Sequence, residues 1–436
     1  MKPALESLRA CLDGAIPAVI ATCAPDGTPN VAYASQVHYV DAEHVALSYQ
    51  FFSKTRENVL AHPYAQVQVV EPGSFRHYRL RVQYLRTETG GPLFQYMKAQ
   101  LAGIAAQSGM GKVFVLRGAD IYRVLDIEAV DHRLPPAPPP PDALLRLRRT
   151  LDHLGACDEL AQLADRALAA LTPGFGIRHA LLTMLDETGA SLYTLASMGY
   201  GHSGIGAEVA LGKGIIGVAA HERILVRINH RTGDYAYHAA LRTAAPHEPR
   251  IPLPVLAEPH SQIAVPLMHA DRLLGVLYAE SEHDAFFSHA DEDALAIYGR
   301  HLAALLAQLA ALPDDAEPLP AAATPAPTGA PLAVRYFPDD HSVFIDNDYL
   351  IKGVAGSILW TLLNEHAQSG RRDFCNRELR RDRRLPLPDG GDNLETRLLL
   401  LQRRLAERCP AIALEKTGRG RFRLVLDRPL ALHAMS

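Results

Sequence analysis

Arginine is the residue type whose spacing carries the most chemistry in this 436-residue chain. In the stretch DNLETRLLLLQRRLAERCPAIALEKTGRGRFRLVLD, Arg397, Arg403, Arg404 and Arg408 fall on a helix-spaced run, and Lys416, Arg419, Arg421 and Arg423 follow on a strand-turn-strand pattern. Guanidinium groups are permanently charged planar donors that match phosphate oxygens and the guanine edge. Leu394, Leu398, Leu401 and Leu405 recur at i, i+4, i+7 and i+11 and set one buried face, with Asp392 or Asn393 as the cap. The spacing then places Arg397, Arg404 and Arg408 along one flank and turns Arg403 away from the core. Between Leu332 and Ser436 there are 18 Lys and Arg against 14 Asp and Glu, although the whole chain has a formal net charge of −4, so only this end is basic. The plainer alternative is a solvated helix face, and the acidic loop at residues 386–392 would repel a phosphate that came close to it.

A second cluster is Ser53-Lys54-Thr55-Arg56 within FFSKTRENVLAHP. Hydroxyls and cations at a helix start sit beside backbone N–H groups that lack intrahelical acceptors, an arrangement that suits a phosphate. Arg79 and Arg81 alternate in YRLRVQYLR, so they share one strand face and are further candidates for phosphate or ring contacts. Patterns for catalysis are missing. The five cysteines (Cys11, Cys23, Cys157, Cys375, Cys409) form no CxxC pair, and the histidines between His202 and His301 form no HExxH or HxH pair. Gly212 to Gly217 spell GxGxxG, but the helix after it spans barely two turns. The next strand ends in Asn229-His230 where a ribose would need an acid, so the glycines read as a tight turn. Without a nucleophile-base pair or paired carboxylates, the chemistry expected is binding.

The elements that position these residues fall into three blocks. Six of the seven residues from Pro135 to Pro141 are proline and residues 313–331 are rich in Pro and Ala, so both read as stiff linkers. The blocks are then residues 1–133, 142–312 and 332–436, with linkers at 134–141 and 313–331. Hydrophobic residues at 48% and charged residues at 21% place the chain among globular proteins. No apolar run approaches the ~18 residues of a membrane span and the N-terminus has no signal-peptide centre, so a cytoplasmic location without membrane contact is expected. The first block reads as a meander over residues 16–24, 30–40 and 44–49 with Pro25-Asp26-Gly27-Thr28 as a turn. The second has helical spacing over residues 144–171 and 294–312 around strands HALLTML, ILVRIN, SQIAVPLM and LLGVLYAES, with Gly275 at a strand centre. Residues 229–260 are too long for a simple connection and read as a lid or insert. The third reads as a hairpin (RYFPDDHSVFIDNDYLI), a helix striped by Ile358, Leu359, Leu362 and Leu363, a second helix FCNRELRRDRRL, the arginine helix and a closing hairpin around Thr417 to Gly420.

Three resemblances follow from these residues. Over about residues 4–131, the order of elements and the S-K-T-R-E-N-V-x-x-x-P run resemble the split barrel of the pyridoxamine 5′-phosphate oxidase family. That resemblance implies FMN, with Ser53, Lys54 and Thr55 on its phosphate, Arg79 and Arg81 adding contacts, and a homodimer with flavin between subunits; heme is the second choice. The family's substrate tail, rich in Trp and Arg, has no counterpart, since the only tryptophan is Trp360. Over about residues 142–312, LGKGIIGVAA, SQIAVPLMHADRLLGVLYAES and FFSHADEDALAIYGRHLAALLAQL resemble a GAF domain, which implies small-molecule sensing and dimerisation. Over about residues 334–427, LLQRRLAER followed by GRGRFRL resembles the winged helix-turn-helix output domain of response regulators. It implies groove contacts from Arg397, Arg403 and Arg404, with Arg408 on the same helix, a phosphate contact from Lys416, and Arg419, Arg421 and Arg423 on or beside the wing. The expected fold class is multidomain α+β: a split β-barrel, then a GAF α/β sandwich, then a winged helix. The expected function is a homodimeric transcriptional regulator that binds double-stranded DNA and takes a small-molecule effector in the barrel, the GAF domain or both. The alternative is an FMN-dependent oxidoreductase with accessory GAF and winged-helix modules.

Overall fold

The computed structural model describes residues 3–12, 16–34, 37–49, 54–72, 74–107, 115–130, 142–155, 157–229, 251–312, 327–387 and 394–435. The proline-rich linker at 134–141, most of the linker at 313–331, Ser53, the cap residues Asp392 and Asn393, most of the loop at 386–392 and most of the expected lid at 229–260 lie outside the described residues.

The first unit begins with a 3-10 helix (Leu5–Leu12) and continues β1 (Ala18–Cys23), β2 (Pro29–Ala34), β3 (Val37–Tyr39), β4 (His44–Tyr49), α1 (Lys54–Ala61), β5 (Tyr64–Val70), β6 (His77–Glu88), α2 (Pro92–Gln107) and β7 (Gly118–Ala129). The strands are ordered β2-β1-β5-β6-β7-β4-β3, which corrects the expected meander: β2 and β3 end at opposite margins of the sheet. The cause is matching of apolar faces, since Ile20 of β1 lies opposite Val67 of β5, and Val67 opposite Leu80 of β6, all three buried. Register shifts at Arg81/Val82 and Tyr84/Arg86 break the long β6–β7 ladder and let it bend. The helix α2 escaped the sequence reading. It starts at Gly90-Gly91-Pro92, where proline suits the first helical turn, and its Ala99 and Gly103 pack against the second unit, Gly103 directly against Val226.

That second unit runs α3 (Ala143–Leu154), α4 (Leu160–Ala169), α5 (Leu171–Phe175), β8 (His179–Leu185), β9 (Ser191–Met198), β10 (Glu208–Ala210), α6 (Gly214–Glu222), β11 (Val226–Ile228), β12 (Ser261–His269), β13 (Arg272–Ser281) and α7 (His289–Ala311). Its six strands are ordered β10-β9-β8-β13-β12-β11, with every pairing antiparallel. With β11 antiparallel to β12, α6 is no parallel crossover, and the GxGxxG run does not sit in a dinucleotide-binding unit. Gly217 is required for another reason: a Cβ there would lie 2.3 Å from the Ala210 carbonyl oxygen. Helices α3, α4 and α7 cover one face of the sheet, and α6 with α2 covers the other. Among the described residues α7 alone is long and apolar enough to cross a membrane, yet its Leu295, Tyr298, Leu302 and Leu306 are buried in the core. A Ser288–Asp291 capping box starts this helix, and Tyr298 Oη donates to the Ala167 carbonyl at 2.8 Å.

The third unit consists of β14 (Leu332–Phe337), β15 (Ser342–Ile345), β16 (Asp348–Ile351), α8 (Gly353–Ser369), β17 (Asp373–Cys375), α9 (Asn376–Leu379), α10 (Leu394–Arg408), β18 (Ile412–Gly418), β19 (Arg421–Leu426) and β20 (Leu430–Ala434). The expected opening hairpin is a four-stranded sheet, β16-β15-β14-β20, with the C-terminal β20 added parallel to β14. The expected long second helix is also corrected. Phe374 stacks on Phe422 with ring centroids 5.9 Å apart, so the segment is drawn into a three-stranded sheet β17-β19-β18, and only residues 376–379 are helical. Ile358, Leu359, Leu362 and Leu363 of α8 are fully buried. The apolar cluster beneath the α3-α4-α7 side of the central sheet continues without a break into Leu394, Leu398, Leu401 and Leu405 of α10.

At Gly275 in β13 a Cβ would lie 1.9 Å from the Thr183 carbonyl oxygen of β8. Gly275→Ala is expected to cost about 1–3 kcal/mol, the scale of forced overpacking. Differential scanning calorimetry of the full chain should show it as a lower midpoint for the central unit, and an unchanged midpoint would refute this close approach.

Candidate functional site

In the barrel, the expected phosphate-binding residues are only partly brought together. Lys54 and Thr55 occupy the first turn of α1, where backbone N–H groups lack intrahelical acceptors. Lys54 is exposed and meets Glu57 at 3.5 Å, while Thr55 Oγ1 accepts from Asn30 Nδ2 at 2.9 Å. Asn58 in turn donates to the buried Thr22 hydroxyl at 3.1 Å, which fixes α1 on β1. An exposed ammonium and a hydroxyl at a helix start fit a phosphate. Arg79 and Arg81 do not join them within one chain. They lie opposite Gln68 and Gln66, on the face of β6 reverse to buried Leu80, whereas Thr22 and Asn30 belong to the inner face. Arg79 faces Glu128 at 3.4 Å. Arg56 is committed elsewhere: its guanidinium meets Asp120 at 2.7 Å, donates to Thr87 Oγ1 and stacks 3.9 Å from the centre of the Tyr49 ring.

The central sheet holds a polar cluster that the sequence reading missed. On the α6 side, Tyr278 Oη donates to Glu280 at 2.7 Å, Gln262 Nε2 donates to Tyr278 Oη at 2.5 Å, and the Leu256 backbone N–H donates to the other Glu280 oxygen at 2.6 Å. Burial raises the Glu280 carboxyl above its ordinary range in spite of these donors, and burial beside it pushes the Tyr278 phenol well up. The signal in the sequence was an acid inside the otherwise apolar strand LLGVLYAES, two residues from a tyrosine on the same face.

The cations of the third unit are where structure departs furthest from expectation. Arg397 is buried, ion-paired with Glu187 and stacked 3.9 Å from the centre of the Tyr193 ring, and Tyr193 Oη donates to Thr396 Oγ1 at 2.9 Å. Arg403 does turn away from its own core, but onto the central unit: it donates to the Leu195 carbonyl at 2.9 Å and to Asp165 at 2.7 Å. Arg404 is buried against the Leu350 carbonyl at 3.0 Å, and burial lowers its pKa. Lys416 pairs with Glu159 at 2.7 Å and Lys352 with Glu208 at 2.8 Å. Arg423 pairs with Asp373 at 2.8 Å across the β17–β19 pair. Arg408 is exposed, and Arg419 and Arg421 stand half-buried beside the two-residue hairpin turn. The opposing acids, Glu159, Asp165, Glu187 and Glu208, all belong to the second unit, and no local pattern marked them. Among the described residues no three metal-ligating side chains converge.

Fold and residues together define a multidomain α+β protein with two recognisable modules. Residues 4–124 match the family model described as pyridoxamine 5′-phosphate oxidase, so this part is a split barrel of that type, and residues 157–307 match the model for a GAF domain. Solved structures similar to the chain include an FMN-binding protein from Syntrophomonas wolfei subsp. wolfei, 18% identical, covering 29% of this chain and 86% of that one with a TM-score of 0.26. The GAF domain of an Acinetobacter phosphoenolpyruvate-protein phosphotransferase is 20% identical and covers 39% and 95%, with a TM-score of 0.32. Free methionine-R-sulfoxide reductase from Neisseria meningitidis, in complex with its substrate, is 23% identical and covers 39% and 92%, with a TM-score of 0.29. Comparison with curated proteins finds no match.

The raised Glu280 pKa gives a signed prediction. The folded protein holds this proton above the pH at which the unfolded chain releases it, so stability falls as pH rises through the window between the ordinary glutamate value and the raised one. Glu280→Gln removes the titrating group, and urea midpoints measured across that window should then fall less steeply than in the parent. Identical slopes would contradict the assignment.

Proposed function

We propose that the chain is a small-molecule-responsive transcriptional regulator whose residues 332–435 form a winged helix that binds double-stranded DNA. The observation that carries the reading is the element order in this unit: α8, then β17 with α9, then α10, then the β18–β19 hairpin with Lys416, Arg419 and Arg421 on or beside its tip. In a winged helix-turn-helix the third helix reads the major groove and the hairpin follows the backbone. The GAF domain and the split barrel then supply the sensing, the protein works in the cytoplasm as a homodimer, and its effector enters the barrel, the GAF domain or both. In this reading the barrel takes FMN before heme, with Ser53, Lys54 and Thr55 on the phosphate. Bound flavin would supply a redox-active ring, and the protein's own part is to hold and orient it. The match of residues 4–124 to an oxidase family supports a second reading, an FMN-dependent oxidoreductase, which turnover of a reduced nicotinamide by flavin-loaded protein would select.

Two measurements test the reading. Full-length protein should retain genomic DNA fragments at low salt; Arg419→Ala or Arg421→Ala should weaken all sequences nearly alike and reduce the salt slope by about one each. Loss of sequence preference without a change in slope would place these residues on bases instead. For the barrel, Lys54→Ala should cost about 1.5–3 kcal/mol of FMN affinity by isothermal titration, the scale of a charge-assisted contact. Riboflavin, which has no phosphate, should bind both proteins equally; equal FMN affinities would remove Lys54 from the site.

A further inference from the structure

The helix α10 is buried on nearly every side, and the part that hides Arg397 and Arg403 belongs to the GAF domain. From Leu394 to Glu395 and on through Leu405 no residue is exposed; only Ala406, Glu407 and Arg408 in the last turn are. A helix that enters a major groove must present its outward side chains to base edges and phosphates, free of other protein. Here Thr396 and Arg397 face Tyr193 and Glu187, and Arg403 reaches Leu195 and Asp165. Lys416 at the hairpin is held by Glu159. Every carboxylate in these contacts comes from the GAF domain and every cation from the third unit. The pairing therefore has the charge pattern of a nucleic-acid interface with acids in place of phosphates.

Resting on the DNA-binding reading above, we propose that the GAF acids Glu159, Asp165 and Glu187 occupy the cations of α10 and the hairpin in place of DNA, so that docking and DNA binding exclude each other. The docked state does not saturate Arg397: Glu187 is reached from Nη2 while the buried Nε has no acceptor, so the guanidinium keeps a donor that an incoming phosphate oxygen can take. Asp165 and Glu159 stand at the solvent edge of the seam, with side chains 67% and 51% exposed, so their pairs are screened by salt and open readily. Glu187 and Arg397 are well covered, so loss of that carboxylate strands a buried charge and favours release.

The test uses the full chain in three forms: the parent, the seam variant Glu159→Gln/Asp165→Asn/Glu187→Gln, and a charge-matched control, Asp271→Asn/Glu282→Gln/Asp284→Asn, at exposed positions elsewhere on the GAF domain. Retention of genomic fragments and amide hydrogen exchange over residues 394–408 are measured for each. The seam variant should bind DNA at least about tenfold more tightly than both other forms, since two of the lost pairs are screened by solvent and the third, Glu187–Arg397, is covered, and its α10 amides should exchange faster. Equal DNA affinity in all three forms overturns the exclusion while leaving the DNA-binding reading intact. Failure of every form to retain DNA, with faster α10 exchange in the seam variant, leaves the docking real but sinks the DNA-binding reading and the exclusion with it. Should the triple variant unfold, the single exposed change Asp165→Asn carries the same comparison.

Discussion

Burial of α10 is the constraint on which the rest of the arrangement depends. A helix with Leu394, Leu398, Leu401 and Leu405 on one face satisfies that side in the apolar cluster it shares with the central unit, but its charged sides can be covered only if each guanidinium finds an acceptor. Glu187, Asp165 and the Leu195 carbonyl supply those acceptors, and Tyr193 supplies an aromatic face. Because strand β9, the β8–β9 turn and helix α4 deliver them, the third unit is fixed to that side of the GAF domain, and a single apolar cluster runs through both.

The same economy joins the first unit to the opposite face of the central sheet. Gln100 of α2 accepts from the Arg227 backbone N–H at 3.1 Å and donates to the Leu225 carbonyl at 2.7 Å, completing the edge strand β11 with a side chain. The Arg227 guanidinium is itself buried, held by Glu292 at 2.7 Å and the Phe287 carbonyl at 3.0 Å, and Tyr96 of α2 donates to Glu292 at 3.2 Å. The GAF sheet is thus the common partner of barrel and C-terminal unit. Its polar Glu280 cluster lies on the α2 and α6 side, and its Tyr193 contact to α10 lies on the other.

Much of the candidate chemistry was legible because it is local. Lys54 and Thr55 sit at a helix start as their types and neighbours require, the leucines of α10 share the face their spacing dictates, and Gly275 stands where two strands approach closely. Arg79 and Arg81 do share a face, but which face depends on the partner strand, and pairing with β5 turns them away from α1. The meander was misread for the same reason, since a strand's own residues do not name its neighbour.

By itself the sequence determined the kind of most elements, though not of α2 or β17, the two family resemblances that residues 4–124 and 157–307 bear out, and which end of the chain carries the cations. These follow from periodicity, turn chemistry and composition, all read within a few residues. Only the tertiary structure decided what those cations face. Arg403 and Asp165 are 238 positions apart, and Arg397 and Glu187 are 210 apart. A contact of that separation exists only because two surfaces distant in sequence match in shape and charge, and no short-range pattern in either segment encodes the other.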